Sequence, residues 1–341
     1  MNKAILPLAI AIAAALVPMS VIAELTVYGK INVAVQSADN GDGDGSITEL
    51  RSNASRIGFK GSEEISDNFR AIYKVEFETQ VDDGSKGGDE ACLTQDVLDA
   101  DGNIIGRTAE QCIDLKNSQT FSQRNIYGGL QHDQAGTVIA GKFDTPMKAS
   151  QDKIDLFNDY EGDIGSVITN SDNRTSNQVQ YSTPKAWGPV KASVSYIANE
   201  DKSVDNGISS SVVFQNDTVY VALAYDQDVE KEGVDVARAV ARLNLGDLQL
   251  GALYEDQDGG KSSLVDDDGF VVSAMYNIGK KWALKAQYGE SDMKYIGAET
   301  YSAGFDYKLS KRSKVFAYYT AEEFKFRDDR EYAGVGMEVK F

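Results

Sequence analysis

The chain has 341 residues, with 53 Asp and Glu against 34 Lys and Arg, one histidine, two cysteines and a formal charge of −19. That acidity argues against a nucleic-acid partner, whose phosphates need a basic surface. Two thiols alone cannot complete a zinc site.

The N-terminal stretch reads as a cleaved export signal over residues 1–23: Lys3 as the positive flank, an apolar run from Ala4 to Val17, and a small-residue site at Val21-Ile22-Ala23. The run is short for a membrane-spanning helix of about 20 residues. A mature chain of residues 24–341 would carry 33 basic and 53 acidic residues, a charge of −20. No other long apolar run follows, so the expectation is one large domain beyond the inner membrane, built without transmembrane helices.

From Glu24 onward the period is two, the signature of strands whose faces differ in polarity. In "LTVYGKINVAVQ", Leu25, Val27, Gly29, Ile31, Val33 and Val35 share one face, opposite Thr26, Tyr28, Lys30, Asn32 and Gln36. In "FRAIYKVEFE", Phe69, Ala71, Tyr73, Val75 and Phe77 oppose Arg70, Ile72, Lys74, Glu76 and Glu78. Later runs repeat the pattern at Val219 to Tyr225, Leu248 to Tyr254, Trp282 to Tyr288 and Tyr301 to Leu309. The count reaches about 16 strands, an even number that lets an antiparallel barrel close with both termini on one side.

Long and short connections alternate. The long ones are expected at 37–54, 79–119, 144–173, 199–207, 227–233, 256–268, 291–298 and 321–331; the short ones include "SEEISDN", "QHDQAG", "QND", "NLGD", "IGK" and "LSKR". All long loops then emerge at one rim and all tight turns at the other. His132 falls in one of those turns, where a surface role outweighs a catalytic one. Cys92 and Cys112 lie in the second long loop, and an oxidising compartment makes a disulfide the plain reading. The first loop, "DNGDGDGS", has acidic spacing that could hold calcium, yet it does not complete the EF-hand pattern. A flexible acidic loop is the expectation, with no metal and no cofactor.

A β-sandwich would alternate in the same way. The barrel is favoured because the polar face carries Lys30, Arg56, Lys60, Arg124 and Arg174, while aromatic residues gather near strand ends on the apolar face. Lipid also forbids open edges. The last strand, "EYAGVGMEVKF", puts Ala333, Val335, Met337, Val339 and Phe341 on the apolar side and would seal the barrel against the first.

The segments "TVYGKINVA", "SRIGFKGSEEI", "FRAIYKVEFET", "SQRNIYGGL", "YKLSKRSKVFAYYT" and "VGMEVKF" together resemble the general Gram-negative porins, in family order across the mature chain. The resemblance implies an all-β transmembrane antiparallel barrel of 16 strands with the third extracellular loop folded into the lumen. It implies a homotrimer in outer-membrane lipid and lipopolysaccharide, inserted by the outer-membrane assembly machinery through a signal ending in Phe341. It also implies passive diffusion of small hydrophilic solutes and ions, the alternative being a bias towards one nutrient class such as anions, sugars or dipeptides.

Within that resemblance "DLFNDYEGD" is similar to the segment that narrows the pore. It implies Asp155 and Asp159 as acidic groups facing the pore, with Glu161 and Asp163 close behind. Lys30, Arg56, Arg124 and Arg174 match the opposing basic wall, and each lies on the polar face already assigned from its apolar neighbours. Acidic groups facing fixed guanidinium groups would set up a transverse field that orders water and polar solutes. The basic wall favours anions and the acidic outer loops favour cations; a modest cation preference is expected. An enzyme would need a nucleophile and a positioned base, which this chain does not offer, and a plugged structural barrel would carry fewer inward charges.

Overall fold

A computed structural model describes residues 24–82, 90–93, 96–98, 104–107, 111–114, 121–200, 204–259, 267–295 and 297–341. The proposed signal, residues 1–23, lies outside the described residues.

Alternation of side chains commits nearly every described segment to strand. The barrel strands are β1 (Glu24–Asp39), β2 in two pieces (Ile47–Ser52 and Arg56–Ser66), β3 (Phe69–Thr79), β4 (Phe121–His132), β5 (Gly136–Asp144), β6 (Arg174–Ser182), β7 (Val190–Ile197) and β8 (Gly207–Gln215). They continue as β9 (Val219–Gln227), β10 (Asp235–Leu245), β11 (Leu248–Asp258), β12 (Asp267–Ile278), β13 (Trp282–Ser291), β14 (Ala298–Lys308), β15 (Ser313–Glu323) and β16 (Arg330–Lys340).

These 17 segments form one sheet. Both pieces of β2 pair with the same edge of β1, Ile47–Ser52 against residues 33–38 and Arg56 onward against residues 24–30, so they are one interrupted strand and the barrel has 16. On its other edge β1 pairs antiparallel with β16, from Lys30↔Lys340 to Asp39↔Glu331, and this seam closes the sheet. Gly29 and Phe341 exchange backbone hydrogen bonds of 3.1 Å in both directions at its end. Closure removes the edges that lipid would leave unpaired.

The first long loop is shorter than its expected span of 37–54, because residues 47–52 rejoin β1. The interruption at residues 53–55 is held by Ser55 Oγ, which accepts from Asn32 N at 3.0 Å, and Ala54 takes a left-handed φ of 48°. The second long loop contains two short strand pairs, Glu90–Leu93 with Gln111–Asp114 and Asp96–Leu98 with Ile104–Arg107. The first of these places Cys92 opposite Cys112 in register. The side chains of both cysteines lie outside the described residues.

The two faces of the sheet differ as the pattern requires. Along β9, Val221, Leu223 and Tyr225 are exposed, while Tyr220, Ala222, Ala224 and Asp226 are buried. Along β13, Trp282 and Leu284 are exposed, with Lys285 and Gln287 buried. The exposed face is therefore a belt of Val, Leu, Tyr and Trp, and most of the buried polar side chains belong to the other face. His132 sits in the β4–β5 turn, its Nδ1 accepting from Gln134 N and Ala135 N at 3.1 Å each.

Between β5 and β6 the chain forms α1 (Pro146–Ser150) and α2 (Ile164–Val167). Thr145 caps α1 and Pro146 opens it, a combination suited to a helix start. Three apolar groups fix this segment to the buried face of the strands. Ile154, Ile164, Val167 and Ile168 pack with Tyr220, Val240, Leu253 and Val271. Phe157 and Tyr160 pack with Phe316, Tyr318 and Tyr332. Met147 packs with Ala224, Val234 and Val236.

Candidate functional site

The tip of that segment brings the predicted charges together. Asp159 Oδ2 lies 2.6 Å from Lys30 Nζ on β1 and 2.6 Å from Arg56 Nη2 on β2. Asp159 has a left-handed φ of 70°, a conformation Asp tolerates better than most residues. Its amide donates to Asp163 Oδ2 at 2.9 Å, while Asp163 Oδ1 caps α2 through Gly165 N at 2.9 Å. Burial would raise the Asp159 carboxyl, but the Arg56 charge and then that of Lys30 outweigh it and hold the group below the usual carboxylate range.

The other predicted acids have different tasks. Asp155 lines the same cavity as Asp159 but is largely buried, and its carboxylate accepts from Phe157 N at 3.0 Å, Ile164 N at 3.2 Å and Gln287 Nε2 at 3.2 Å. It ties the tip to itself and to β13. Burial, with the neighbouring Asp163 charge adding to it, pushes this carboxyl well up. Asp163 is likewise an internal cap. Glu161 faces the opposite way from Asp155, accepting from Gln36 Nε2 at 2.9 Å and pairing with Arg51 Nε at 3.2 Å. Gly162 sits so close to the wall that a Cβ would lie 2.2 Å from Ser302 Oγ and 2.9 Å from Thr320 Oγ1.

On the wall, Arg124 lines the same cavity as Asp159 but makes its ion pairs elsewhere. A register shift in β4, between Ile126 and Gln123, aims it at Glu76 (Nε to Oε1, 3.3 Å) and at Glu78 on β3. Arg174 pairs with Asp144 at 2.7 Å and donates to Asn125 Oδ1 at 3.3 Å. Lys30 also has Glu338 at 3.8 Å. On the adjoining strands β13–β15, Asp306 binds Lys285 at 3.1 Å and Lys314 at 2.9 Å. The structure thus joins Lys30, Arg56 and Asp159 and gives Arg124 and Arg174 carboxylates of their own.

Sequence reasoning did not single out Glu76, Glu78, Asp144, Glu338 or Asp306 as site residues. The signal for Glu76 and Glu78 was present, since both lie on the polar face of "FRAIYKVEFE". The pairing that neutralises the wall needs the cross-strand register, which alternation does not supply.

Two cavities meet at this place. One, of about 1040 Å³, opens towards the long loops and is lined by Glu49, Arg51, Asp82, Glu161, Asp172 and Glu230 among others. The second, of about 890 Å³, opens towards the tight turns and is lined by Lys30, Arg56, Arg124, Arg174, Lys314 and Lys340 among others. Lys148, Asp159 and Tyr160 line both. The first space is dominated by carboxylates, the second interleaves its cations with Glu76, Asp144, Asp152, Asp155, Asp306 and Glu338, and the two adjoin across those three residues.

The sequence profile of the Gram-negative porins matches residues 8–327. The chain belongs to that family. The porin is 27% identical over 213 residues to the major outer membrane protein P.IB of Neisseria sicca, an alignment covering 60% of this chain and 46% of the relative, so the chain spans about half of that relative's length. Its fold is similar to that of an anion-selective porin from Comamonas acidovorans, with a TM-score of 0.67, 18% identity, and 94% and 100% of the two chains covered. It is also similar to OmpT, an outer membrane protein of Vibrio cholerae solved in trimer form, with a TM-score of 0.63, 15% identity, and 94% and 99% covered. As a member of the family the porin is an outer-membrane diffusion channel, and its relatives are channels rather than enzymes.

Proposed function

We propose that small hydrophilic solutes and ions cross this porin through a neck where Asp159 faces Lys30 and Arg56, formed by residues 145–172 folded into the lumen. The observation that carries this reading is that Asp159 and its neighbours line both cavities, so a path from one to the other passes them. The segment's contacts support it as well, since they run from β1 and β2 to β8–β15 and reach strands on both sides of a closed ring. The path runs beside this ion-paired cluster, and its charges, with those of Arg124, Arg174, Glu76 and Asp144 on the same cavity wall, orient water and polar solutes. A bulky apolar solute would have to displace that ordered water without replacing its hydrogen bonds. Passage is passive and needs no nucleophile and no cofactor.

The neck is close to charge balance, and the loop-side cavity is dominated by carboxylates. Cations are concentrated at that mouth, which supports a modest cation preference here, although the Comamonas relative is anion-selective. A homotrimer is proposed by analogy with the trimeric Vibrio structure. It would sit in outer-membrane lipid with lipopolysaccharide at the long-loop rim. Residues 1–23 are proposed as the cleaved signal, Phe341 as the end of the signal read by the assembly machinery, and Cys92 with Cys112 as one disulfide across the second loop.

Single-channel recording in a planar bilayer under a salt gradient tests the reading. Current entering in three equal steps, with a reversal potential on the cation side, is expected. A purified, folded protein that opens no channels would overturn the pore reading, and single steps would overturn the trimer.

A further inference from the structure

The segment 145–172 leaves the wall after β5 and returns at β6, yet both of its ends also meet at one guanidinium on a distant strand. Arg238 of β10 has a side chain that is 0% exposed. Its Nη1 donates to the carbonyl of Met147 at 3.1 Å, in α1 at the start of the segment. Its Nη2 donates to Ser171 Oγ and Asp172 Oδ1 at 2.8 Å each, with Thr169 Oγ1 at 3.3 Å, all at the segment's end. Its Nε donates to Glu255 Oε1 at 2.9 Å on the adjoining β11. Ser171 donates to the same glutamate.

A planar guanidinium presents donors in three fixed directions, and here each direction takes a different part of the molecule: the entering leg, the leaving leg and the wall. A buried charge is tolerated only with such partners, so the arrangement holds as a unit or not at all. The legs have a second link in Lys148 Nζ, which donates to Asp172 O at 2.9 Å, but that bond ties leg to leg and not to the wall. Further along, Arg242 holds Asp152 at 2.7 Å and Gln249 holds the carbonyl of Lys153 at 3.0 Å, on the same pair of strands. From this base the tip extends to β13–β15 and on to Lys30 and Arg56.

We infer that Arg238 is a positioning residue for the constriction, clasping both legs of the segment to the β10–β11 wall and so fixing where Asp159 stands. The inference rests on the proposed role of that segment as the neck. Arg238 does not touch the ion path itself. Its effect is transmitted through the 145–172 backbone to a carboxylate that does.

The test compares Arg238→Gln, Arg238→Lys and the double change Thr169→Val with Ser171→Ala against Asp159→Asn, in single-channel records under a salt gradient. Arg238→Gln is expected to raise open-channel noise and to move the reversal potential at least halfway to that of Asp159→Asn, although Asp159 is intact. Arg238→Lys should recover only part of this, because one ammonium cannot hold three directions. The double change leaves the Arg238–Glu255 pair in place and is expected to shift the potential in the same sense with thermal stability near native. Native noise and potential in a folded Arg238→Gln porin, beside a shifted Asp159→Asn, would overturn the clasp. If Arg238→Gln does not fold, native behaviour in the double change overturns it. An unshifted Asp159→Asn would instead remove the reading of the neck on which the inference stands.

Discussion

Replacing Asp159 by asparagine removes one negative charge from a point where two cations stand 2.6 Å from the same oxygen. The volume and the backbone preference of the site are nearly kept, since Asn also tolerates the left-handed region. A monovalent ion passing about 5 Å from a unit charge in water-filled space feels about 0.8 kcal/mol. Cations lose that attraction and anions lose an equal repulsion, so the cation-to-anion permeability ratio changes by about 1.6 kcal/mol, or about 15-fold, before screening. With a Debye length of about 10 Å in moderate salt, a little over half survives, which leaves about a fivefold shift towards anions. The assay is the reversal potential of native and Asp159→Asn channels under the same salt gradient. An unchanged potential, or a shift towards cations, would refute the placement of the ion path beside Asp159.

Acid should act on the same group with a defined sign. The Asp159 carboxyl is depressed from its ordinary 3.8, so its charge, and the stability its ion pairs confer, are fully present above that value and are lost only as pH falls through the depressed one. The difference in reversal potential between native and Asp159→Asn channels should therefore persist from neutrality down to about pH 4 and vanish only below it, and Arg56→Gln should raise that inflection. At the seam, a side chain on Gly29 would place Cβ 2.5 Å from the Phe341 ring and 2.6 Å from the Arg56 carbonyl. Gly29→Val is expected to cost about 1–3 kcal/mol, read as a lower unfolding temperature of the barrel, and removal of Phe341 to lower the yield in the outer membrane; native values in both would reject the closing role of this pair. Thiol alkylation of the unreduced porin should add no mass at Cys92 and Cys112, and labelling there would disprove the disulfide.

Most of the barrel was legible because each strand meets two different solvents. In β1 and β13 the lipid-side and lumen-side positions differ in polarity residue by residue, so both the strands and their phase follow from alternation. The phase was sufficient to put Lys30 and Arg56 on the inner face, and the register of β1 with β2 then sets them opposite each other. The phase also gave the outward face of β9 and β11, where Val221, Leu223 and Tyr225 and then Leu250, Ala252 and Tyr254 are exposed, but it said nothing of an inner face that is itself apolar. Tyr220, Ala222, Val240, Leu253 and Val271 point inward as hydrophobes because Ile154, Ile164, Val167 and Ile168 cover them. A stretch such as "VYVALAY" is then apolar on both faces, and its inward half reads as nothing in particular until the covering segment is known.

The acids of "DLFNDYEGD" were harder to sort, since in a loop no period assigns a side chain to a face. Asp155, Asp159 and Asp163 are chemically identical and four residues apart, yet two of them spend oxygens on backbone amides of the loop, Asp155 adding only the Gln287 amide of β13, and one alone meets the cations of the wall. What separates them is the direction of the chain. The left-handed turn at Asp159 sends its carboxylate outward from the tip, while Asp155 and Asp163 lie where the backbone amides of residues 157, 159, 164 and 165 converge. Unpaired buried amides are costly, so those two acids are held by the loop's own accounting of donors. That leaves Asp159, whose Oδ2 is held by both Lys30 and Arg56, to carry charge at the proposed neck. The internal acids give the segment a fixed shape, and this is why one part-buried carboxylate on it would act as a stable source of field.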